Sequence, residues 1–501
     1  MPYRLGRRMV TSRRLTSIAL LVALVSLSSG IAPKPAAGQE RMDWRASSGP
    51  RPVFEQRYVA ESNAWEPTIG FGPDGAAYYV GSDTTFQGVL PPPAVYKTVD
   101  EGRTWENVSP WLTPLAKSVP PPVRSAFYTP PMSGDPYLHV DPDTGRVFSY
   151  HQQAYLFCDS WSRSADGGET WKTWDTCNEA FFEDVSWGDH PTITTGPPRV
   201  SKMNGYPNVV YFCSSWNSEE ITRCRRSLDG GETWEPLLDA MTKCGGLTGH
   251  VKTAPDGTVY LPRLGCDAAW INISRDDGQT WTTVKVDDTV WTEPGQEIGL
   301  DHEAHVAIDQ AGNVYYMWLG DNDLPYISVS RDEGKTWSPP VNVAAPGVTA
   351  ANFPHIVAGK QGRIAVMYLG SKIEGGYDAE DMSSASWDAY VGFSLNALSP
   401  RPVFAATTAN PSDDPLKRGN CFERCMAENS NPIEQERYRF DGMYDFLDMD
   451  LNPVTGAIWI ALVDLCNDAC ATRDGTSDNT QFARAAVSVQ LQGPRLLSPT
   501  D

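Results

Sequence analysis

Short apolar segments recur along this chain at a spacing that predicts β-strands rather than helices. Seven times, an apolar segment is followed by a turn rich in Pro, Asp or Gly and then by a second apolar segment. In the first unit, residues 65–69 precede Pro73-Asp74-Gly75, and residues 77–79 follow. Each unit therefore has the pattern of a two-stranded hairpin. The second apolar segments are residues 77–79, 147–148, 209–212, 259–260, 314–316, 364–366 and 458–460.

An eight-residue pattern, Ser/Thr-x-Asp-x-Gly-x-x-Trp, follows the first five units. Its carboxylate can accept hydrogen bonds from turn N–H groups, its Gly permits a positive φ, and its Trp buries a large apolar face. The pattern therefore predicts a structural turn that joins a third strand to a fourth. Its aspartates are Asp100, Asp166, Asp229, Asp276 and Asp332. A decayed copy lies near Ser394-Leu395-Asn396, and the seventh unit has none.

These patterns are Asp boxes, and the chain resembles the Asp-box (BNR-repeat) β-propellers, whose best-known members are the sialidases. The resemblance covers roughly residues 60–490. It implies an all-β propeller of four-stranded antiparallel blades, with the Asp boxes on the outer rim. Seven units predict seven blades, and six is the alternative if the last unit is irregular. The strand-like residues 51–58 could close the ring by pairing with residues 485–491 of the last blade.

The N-terminus has the pattern of an export signal. Basic residues precede the apolar run 18–27, which is too short to span a membrane. We expect a signal peptide over 1–38, a disordered segment over 39–50, a single propeller over 51–493 and a disordered tail over 494–501. The product would be secreted or extracytoplasmic, without a transmembrane anchor after cleavage. A net charge of −21 argues against nucleic acid as a partner, and the oligomeric state stays open.

Ten cysteines in an exported chain suggest disulfides. The local pairs expected are Cys158–Cys177, Cys213–Cys224 and Cys244–Cys266. Cys421 and Cys425 could cross-pair with Cys466 and Cys470 to fix a long insertion. A thiolate metal site is the alternative, but the C-x-x-C spacing typical of such sites is missing.

The residues best suited to catalysis or metal binding are histidines in the inner two strands of the repeated units. When the units are aligned, His250, His305 and His355 occupy the same position in three successive blades. Asp448 occupies that position in the seventh blade. Because the first strand of a blade lines the central channel, these side chains should converge on the axis. Convergence of histidines and carboxylates suits a metal or an acid–base site. A water-filled channel lined by polar side chains is the alternative interpretation.

The densest group of titratable residues is Asp301-His302-Glu303-x-His305. On a strand, Asp301, Glu303 and His305 share one face, and His302 points to the other. Asp189-His190 repeats part of this pattern two blades earlier.

The resemblance to sialidases implies three arginines that clamp a carboxylate, a Tyr–Glu pair and an acid–base Asp. The first arginine belongs to a Phe/Tyr-Arg-Ile-Pro motif, whereas this chain offers Arg57-Tyr58-Val59-Ala60. Arg263, at the end of an inner hairpin, could serve as an anion clamp. Tyr444 lies in the insertion before the seventh blade.

The leading hypothesis is a sialidase-like propeller that acts on glycans through a glycoside hydrolase-type site at the channel mouth. Its catalytic candidates are Asp189, His190, Asp301, Glu303 and His305. Its substrate-binding candidates are Arg263, His250, His302, His355 and Tyr444. A non-catalytic propeller that binds carbohydrate or protein is one alternative, and a metal-dependent enzyme using the channel histidines is another. No cofactor is expected, although calcium could bind at Asp321 and Asp323, or another divalent metal could bind. A solvated loop without a metal is the alternative interpretation of Asp321 and Asp323.

Overall fold

Seven antiparallel sheets follow one another along the chain and form a seven-bladed β-propeller. The computed structural model describes residues 51–82, 94–110, 133–153, 158–175, 189–216, 221–241, 248–265, 268–288, 304–376, 384–419, 447–466 and 484–497. All of them lie within the unit Glu40–Asp501. The described residues include no helix that is long and apolar enough to cross a membrane.

Each blade is built from strands that are consecutive in sequence, apart from the last. The chain starts with β1 (Val53–Asn63). Blade I holds β2 (Trp65–Phe71), β3 (Ala77–Ser82), β4 (Tyr96–Thr98) and β5 (Glu106–Asn107). Blade II holds β6 (Ser133–Val140), β7 (Val147–Gln153), β8 (Cys158–Ser164) and β9 (Lys172–Asp175). Blade III holds β10 (Asp189–Gly196), β11 (Val209–Trp216), β12 (Ile221–Ser227) and β13 (Leu238–Met241).

The remaining blades repeat this order. Blade IV holds β14 (Lys252–Thr253), β15 (Val259–Gly265), β16 (Ala268–Ser274) and β17 (Thr282–Asp287). Blade V holds β18 (His305–Ile308), β19 (Val314–Leu319), β20 (Pro325–Ser330) and β21 (Val341–Asn342). Blade VI holds β22 (Ala350–Ala358), β23 (Ile364–Ser371), β24 (Ser386–Ser394) and β25 (Ala405–Thr408), and β26 (Lys417–Arg418) also pairs with β24. Blade VII holds β27 (Asp448–Leu451), β28 (Ile458–Asp464), β29 (Arg484–Gln492) and β1.

The two ends of the chain close the ring. Strand β1 pairs with β29 and forms the outer strand of blade VII, as the sequence predicted. The Tyr58 hydroxyl donates to Asp464 Oδ2 at 2.7 Å, and the guanidinium of Arg484 lies 3.6 Å from the Tyr58 ring centroid. This pairing covers the open edge that blade VII would otherwise expose.

Order extends further toward the C-terminus than the sequence predicted. Residues 494–497 were expected within a disordered tail, but Leu496 is fully buried in the cluster shared by blades VI and VII. Its carbonyl accepts the Lys360 N–H at 3.0 Å, and Gly359 leaves room for it. The described part of the tail is therefore a packed segment of the fold.

The hydrophobic core is divided among the interfaces between blades. Seven clusters of buried side chains are present in the described residues, and each combines residues from two neighbouring blades. One cluster, for example, places Phe71 of blade I against Trp459 of blade VII, with 5.3 Å between the ring centroids. A blade therefore buries its apolar faces only against its neighbours.

The five Asp boxes have the geometry expected of them. In the last box, Ser330 Oγ donates to Asp332 Oδ1 at 2.8 Å and accepts the Gly334 N–H at 2.8 Å. Asp332 also accepts the Thr336 N–H at 2.9 Å and the Thr336 hydroxyl at 2.6 Å. In the decayed sixth copy, Asn396 accepts the Ser394 hydroxyl at 3.2 Å.

The box glycines also determine how closely blades approach one another. All five have a positive φ, between 79° and 93°. A Cβ at Gly168 would lie 2.9 Å from Val108 of blade I, and a Cβ at Gly334 would lie 2.5 Å from Ile273 of blade IV. Gly is therefore required both by the backbone conformation and by the contact with the preceding blade.

A basic side chain links every pair of neighbouring blades through a backbone carbonyl. Six of the acceptor carbonyls belong to box turns or to the decayed turn, and the seventh follows β29. From the VII–I interface round to VI–VII, the donor–acceptor pairs are Arg57 to Glu101, Lys97 to Gly167, Arg163 to Gly231, Arg226 to Asp277, Arg275 to Glu333, Arg331 to Leu398 and Arg363 to Arg495. We call these contacts the interblade clamps.

One predicted disulfide is confirmed. Cys213 of β11 and Cys224 of β12 lie directly opposite each other and are bonded. Cys466 is also disulfide-bonded. The remaining cysteine predictions involve the Cys158 side chain and Cys177, Cys244, Cys266, Cys421, Cys425 and Cys470, which lie outside the described residues.

The Asp boxes predict a specific loss of stability in acid. Hydrogen bonds from the hydroxyl and N–H of Thr336 lower the pKa of Asp332 to about 2. The ionised carboxylate therefore stabilises the fold above its unfolded-state pKa near 4, and this contribution is lost as the pH falls toward 2. Asp332→Asn should lower the melting temperature at pH 6, and its difference from the wild type should shrink between pH 4 and pH 2. Calorimetry tests this, with exposed Asp321→Asn as control; a difference independent of pH would contradict it.

The clamps predict an unequal effect of two arginine substitutions. Arg226 donates to the Asp277 carbonyl at 2.7 Å and to Glu235 at 2.8 Å. Among the described residues, the Arg103 guanidinium interacts only within its own box turn. Arg226→Leu should lower the free energy of unfolding by about 1–3 kcal/mol, because a charge-assisted bond is lost and a carbonyl is left unpaired. Arg103→Leu should change it by less than about 0.5 kcal/mol. Denaturant titration compares them, and equal effects would rule out a special role for the clamp.

Candidate functional site

The first strands of the blades bring one residue each to a ring around the propeller axis, except in blade IV, where His250 lies just before β14. The members of this axial ring are Thr68, Tyr137, Thr192, His250, His305, His355 and Asp448. Side chains of the ring cap the next blade: Thr68 accepts the Leu138 N–H at 2.9 Å, and Asp448 accepts the Ile69 N–H at 2.9 Å. The repeat of the fold thus holds these side chains in fixed positions.

Three histidines of the ring come together in the interior. The ring centroids of His250 and His305 are 5.0 Å apart, those of His305 and His355 are 4.3 Å apart, and those of His250 and His355 are 5.6 Å apart. One nitrogen of each lies within 4.8 Å of the others. Each imidazole is at most 2% exposed. Burial lowers the pKa of His250 and of His355 well below 6.5, so both are neutral imidazoles.

A buried carboxylate completes the cluster. Asp448 Oδ1 lies 2.9 Å from His355 Nε2 and 3.7 Å from His250 Nδ1, while its other oxygen is held by the Ile69 N–H. Burial raises the pKa of Asp448 to about 6. The alignment of the repeats predicted that Asp448 would meet the histidines on the axis, although Asp448 was not named among the catalytic or substrate-binding candidates.

A second charged layer lies two residues further along the first strands. It contains Lys252 of blade IV and Asp450 of blade VII. Burial raises the pKa of Asp450 to about 7, and the positive charge of Lys252 acts against this. The same positive charge also opposes protonation of His250 and His355. The axis therefore carries neutral imidazoles next to one cation and two carboxyl groups.

Strained backbone marks the positions two residues before the ring. Glu66, His190 and Phe353 have φ values of 46°, 51° and 48°, and the strand pairing is interrupted there in blades I, III and VI. All three side chains are buried. Such bulges re-aim side chains and are frequent next to functional sites. Sequence reasoning missed Glu66, although its spacing before Thr68 equals that of His190 before Thr192.

Other predicted residues lie elsewhere or outside the described residues. Arg263 is fully buried, donates to Thr222 Oγ1 at 2.5 Å, and lies where blades III and IV meet. Asp189 lies in β10, but its side chain is not described, and Asp301, His302, Glu303 and Tyr444 fall outside the described residues. The structure thus unites His250, His305 and His355 and says nothing about the predicted carboxylates.

The predicted calcium ligands Asp321 and Asp323 lie in the turn before β20. Asp321 is exposed, and Asp323 has a φ of 59° with its N–H donating to the Gly320 carbonyl at 3.0 Å. Among the described residues, only the three axial histidines form a group of at least three metal-ligand side chains.

The axial histidines have the composition of a transition-metal site. Imidazole is the preferred ligand of Zn²⁺, Cu²⁺ and Ni²⁺, and it binds metal in its neutral form. Tetrahedral zinc with bonds of about 2.0–2.1 Å needs ligand atoms closer together than the 4.8 Å limit seen here, so small rotations of the imidazoles would be required. Asp448 beside His355 is the carboxylate–histidine pair that commonly orients such a ligand.

Comparison with known families agrees with the repeat and the fold. The BNR repeat-like domain family matches residues 208–368, which run from β11 into β23. This match, the five Asp boxes and the seven four-stranded blades support an Asp-box (BNR-repeat) β-propeller. None of the curated proteins matches this Asp-box propeller.

Several solved structures are similar to this chain at low sequence identity. A protein of unknown function from Dyadobacter fermentans is 14% identical, with 88% of this chain and 99% of that chain covered and a TM-score of 0.43. The intramolecular trans-sialidase from Ruminococcus gnavus is 14% identical, with coverages of 86% and 96% and a TM-score of 0.40. A Hadza microbial sialidase is 18% identical with a TM-score of 0.40; 61% of this chain is covered, and the Asp-box propeller spans only 63% of that sialidase. Likeness at this level gives no information about activity.

Proposed function

We propose that this Asp-box propeller binds one divalent transition-metal ion on its axis, with His250, His305 and His355 as ligands. The observation that carries the proposal is the convergence of three buried imidazoles, with one nitrogen of each within 4.8 Å of the others. Burying three imidazoles side by side has a desolvation cost, and a bound cation would offset it. The Nδ1 atom of His355 is buried without a hydrogen-bond partner, which supports a ligand role.

Asp448 would orient the histidines. Its Oδ1 accepts the Met449 N–H at 2.9 Å, and Oδ2 accepts the Ile69 N–H, so the carboxylate cannot rotate freely. A fixed carboxylate next to His355 selects the tautomer that leaves the other ring nitrogen available. Its negative charge would also partly balance that of the cation.

Three histidine ligands are the set found in catalytic rather than structural zinc sites, because one coordination position stays open for water or substrate. The ion would supply a Lewis acid and an activated water, so hydrolysis is the expected reaction class. Among the alternatives considered from the sequence, this favours the metal-dependent enzyme.

Metal analysis tests the proposal. Protein purified without chelators should contain close to one equivalent of Zn²⁺, Cu²⁺ or another transition metal by mass spectrometry of the elements. His305→Ala and His355→Ala should each reduce the bound metal at least tenfold, because two imidazoles hold the ion poorly. Removing the metal should also lower the melting temperature, since an ion at 100 times its Kd adds about 2.7 kcal/mol.

A matched control variant distinguishes the loss of a metal-binding side chain from a general loss of folding. His139 lies on an inner strand of blade II, where it bonds to Thr195 at 2.9 Å, and it is not one of the three converging histidines. His139→Ala should retain full metal content. A folded wild type that takes up no transition metal, or a metal content unchanged in His305→Ala and His355→Ala, would refute the proposal.

Glycoside hydrolysis at the channel mouth is the second candidate, favoured by the strained and buried Glu66 and His190 just before the ring. It predicts that chelator-treated protein releases sugar from a glycan panel, and that Glu66→Gln lowers kcat/KM about 100-fold, as expected for loss of an acid–base group. Exposed Glu374→Gln is the control. Activity that disappears with the metal would favour the first proposal instead.

We also propose that the protein acts outside the cytoplasm. The Cys213–Cys224 disulfide supports this, because such bonds persist mainly in oxidising compartments. Sequencing the N-terminus of protein recovered from the extracytoplasmic fraction tests it. A mature start near Gln39 is expected, and retention of Met1 in a cytoplasmic protein would contradict it.

A further inference from the structure

A cavity separate from the axis opens where blades II and III meet. Its volume is about 540 Å³. Trp161, Arg163 and Lys172 line it from β8 and β9 of blade II, and Trp234 and Glu232 line it from the third Asp box of blade III. Sites of about 300–1,000 Å³ hold small organic ligands in proteins.

The wall of this cavity is aromatic and rigid. Trp161 lies 4.7 Å from Trp234 and 4.5 Å from Phe212 between ring centroids. Trp161 is 5% exposed, and its indole N–H is buried without a hydrogen-bond partner. The Trp161 ring is therefore held in place as part of the apolar wall.

The box tryptophan of this interface differs from that of its neighbour. At the blade I–II interface, Trp171 donates its indole N–H to the Val108 carbonyl at 2.7 Å, which closes the gap. Within the described residues, the Trp234 indole N–H makes no such bond, and the ring is half-buried. Trp234 therefore remains partly exposed at the cavity.

Charged groups of both signs form the rim. Glu232 pairs with Arg163 and, at 3.2 Å, with Lys172. Arg225 lines the cavity from β12, and Ser162 and Thr173 bond to each other at 3.0 Å on the opposite side. Donors and acceptors are therefore interspersed around the aromatic wall, and the ion pairs hold them in place.

We propose that this cavity, which we call the interblade pocket, binds a saccharide ring. An aromatic face suits the C–H face of a pyranose, while interspersed donors and acceptors suit its hydroxyl groups. A phosphate or nucleic acid would require a rim dominated by cations, and Glu232 prevents this. The site is independent of the axial histidines, so it would bind sugar whether or not a metal is present.

The test uses the full mature protein and a panel of methyl glycosides: glucose, galactose, mannose, fucose, xylose, N-acetylglucosamine and glucuronic acid. Binding is measured by calorimetry and by quenching of tryptophan fluorescence. At least one glycoside should bind, and Trp234→Leu should weaken that binding at least tenfold. Trp337→Leu removes a box tryptophan from another interface and should change the affinity less than twofold.

A rim variant protects the test against misfolding. Lys172→Ala changes an exposed side chain and should weaken binding about threefold or more if the pocket is the site, with the circular dichroism spectrum unchanged. His305→Ala should leave saccharide affinity unchanged, which keeps this proposal distinct from the axial metal. Absence of binding to every glycoside, or binding that survives both Trp234→Leu and Lys172→Ala, would overturn it.

Discussion

The contact between each Asp-box turn and the preceding blade is the constraint on which this propeller depends. A glycine without a side chain lets the turn approach the neighbouring sheet, and a Lys or Arg from that sheet donates to a turn carbonyl. A positive φ within the turn exposes carbonyls that no strand can pair, so the cation satisfies groups that burial would otherwise penalise. The internal hydrogen bonds of the box keep the turn in this shape. The contacts at the Asp-box turns therefore fix the angle between successive blades.

The contact between each box turn and the preceding blade also determines which residues meet on the propeller axis. When every blade is placed by the same contact, the same position of every first strand arrives at the same distance from the centre. The fold therefore brings together His250, His305, His355 and Asp448, which are far apart in sequence. Four of the seven ring positions carry imidazoles or a carboxylate, and these belong to blades IV to VII. One side of the axis is thus polar and titratable, whereas Thr and Tyr occupy the rest.

Much of the fold could be predicted because its determinants are local and repeated. Short sequence patterns, or the order in which these patterns repeat, predicted the five boxes, the seven hairpin units, the pairing of β1 with the last blade and the Cys213–Cys224 bond. The meeting of the histidines followed from the same alignment. Features that depend on a single blade were not predictable: the bulge that turns Glu66 inward, and the hydrogen-bond geometry of Asp448. Leu496 was missed because two adjacent leucines in a polar tail show no periodicity.

The pairing of β1 with β29 has a consequence for biosynthesis. Blade VII contains the first and the last strands of the propeller, so it cannot form until the ribosome has released nearly the whole polypeptide. Contacts of such high sequence separation slow folding, because loop closure must precede them. The ring of blades in a nascent chain would therefore stay open for as long as translation lasts.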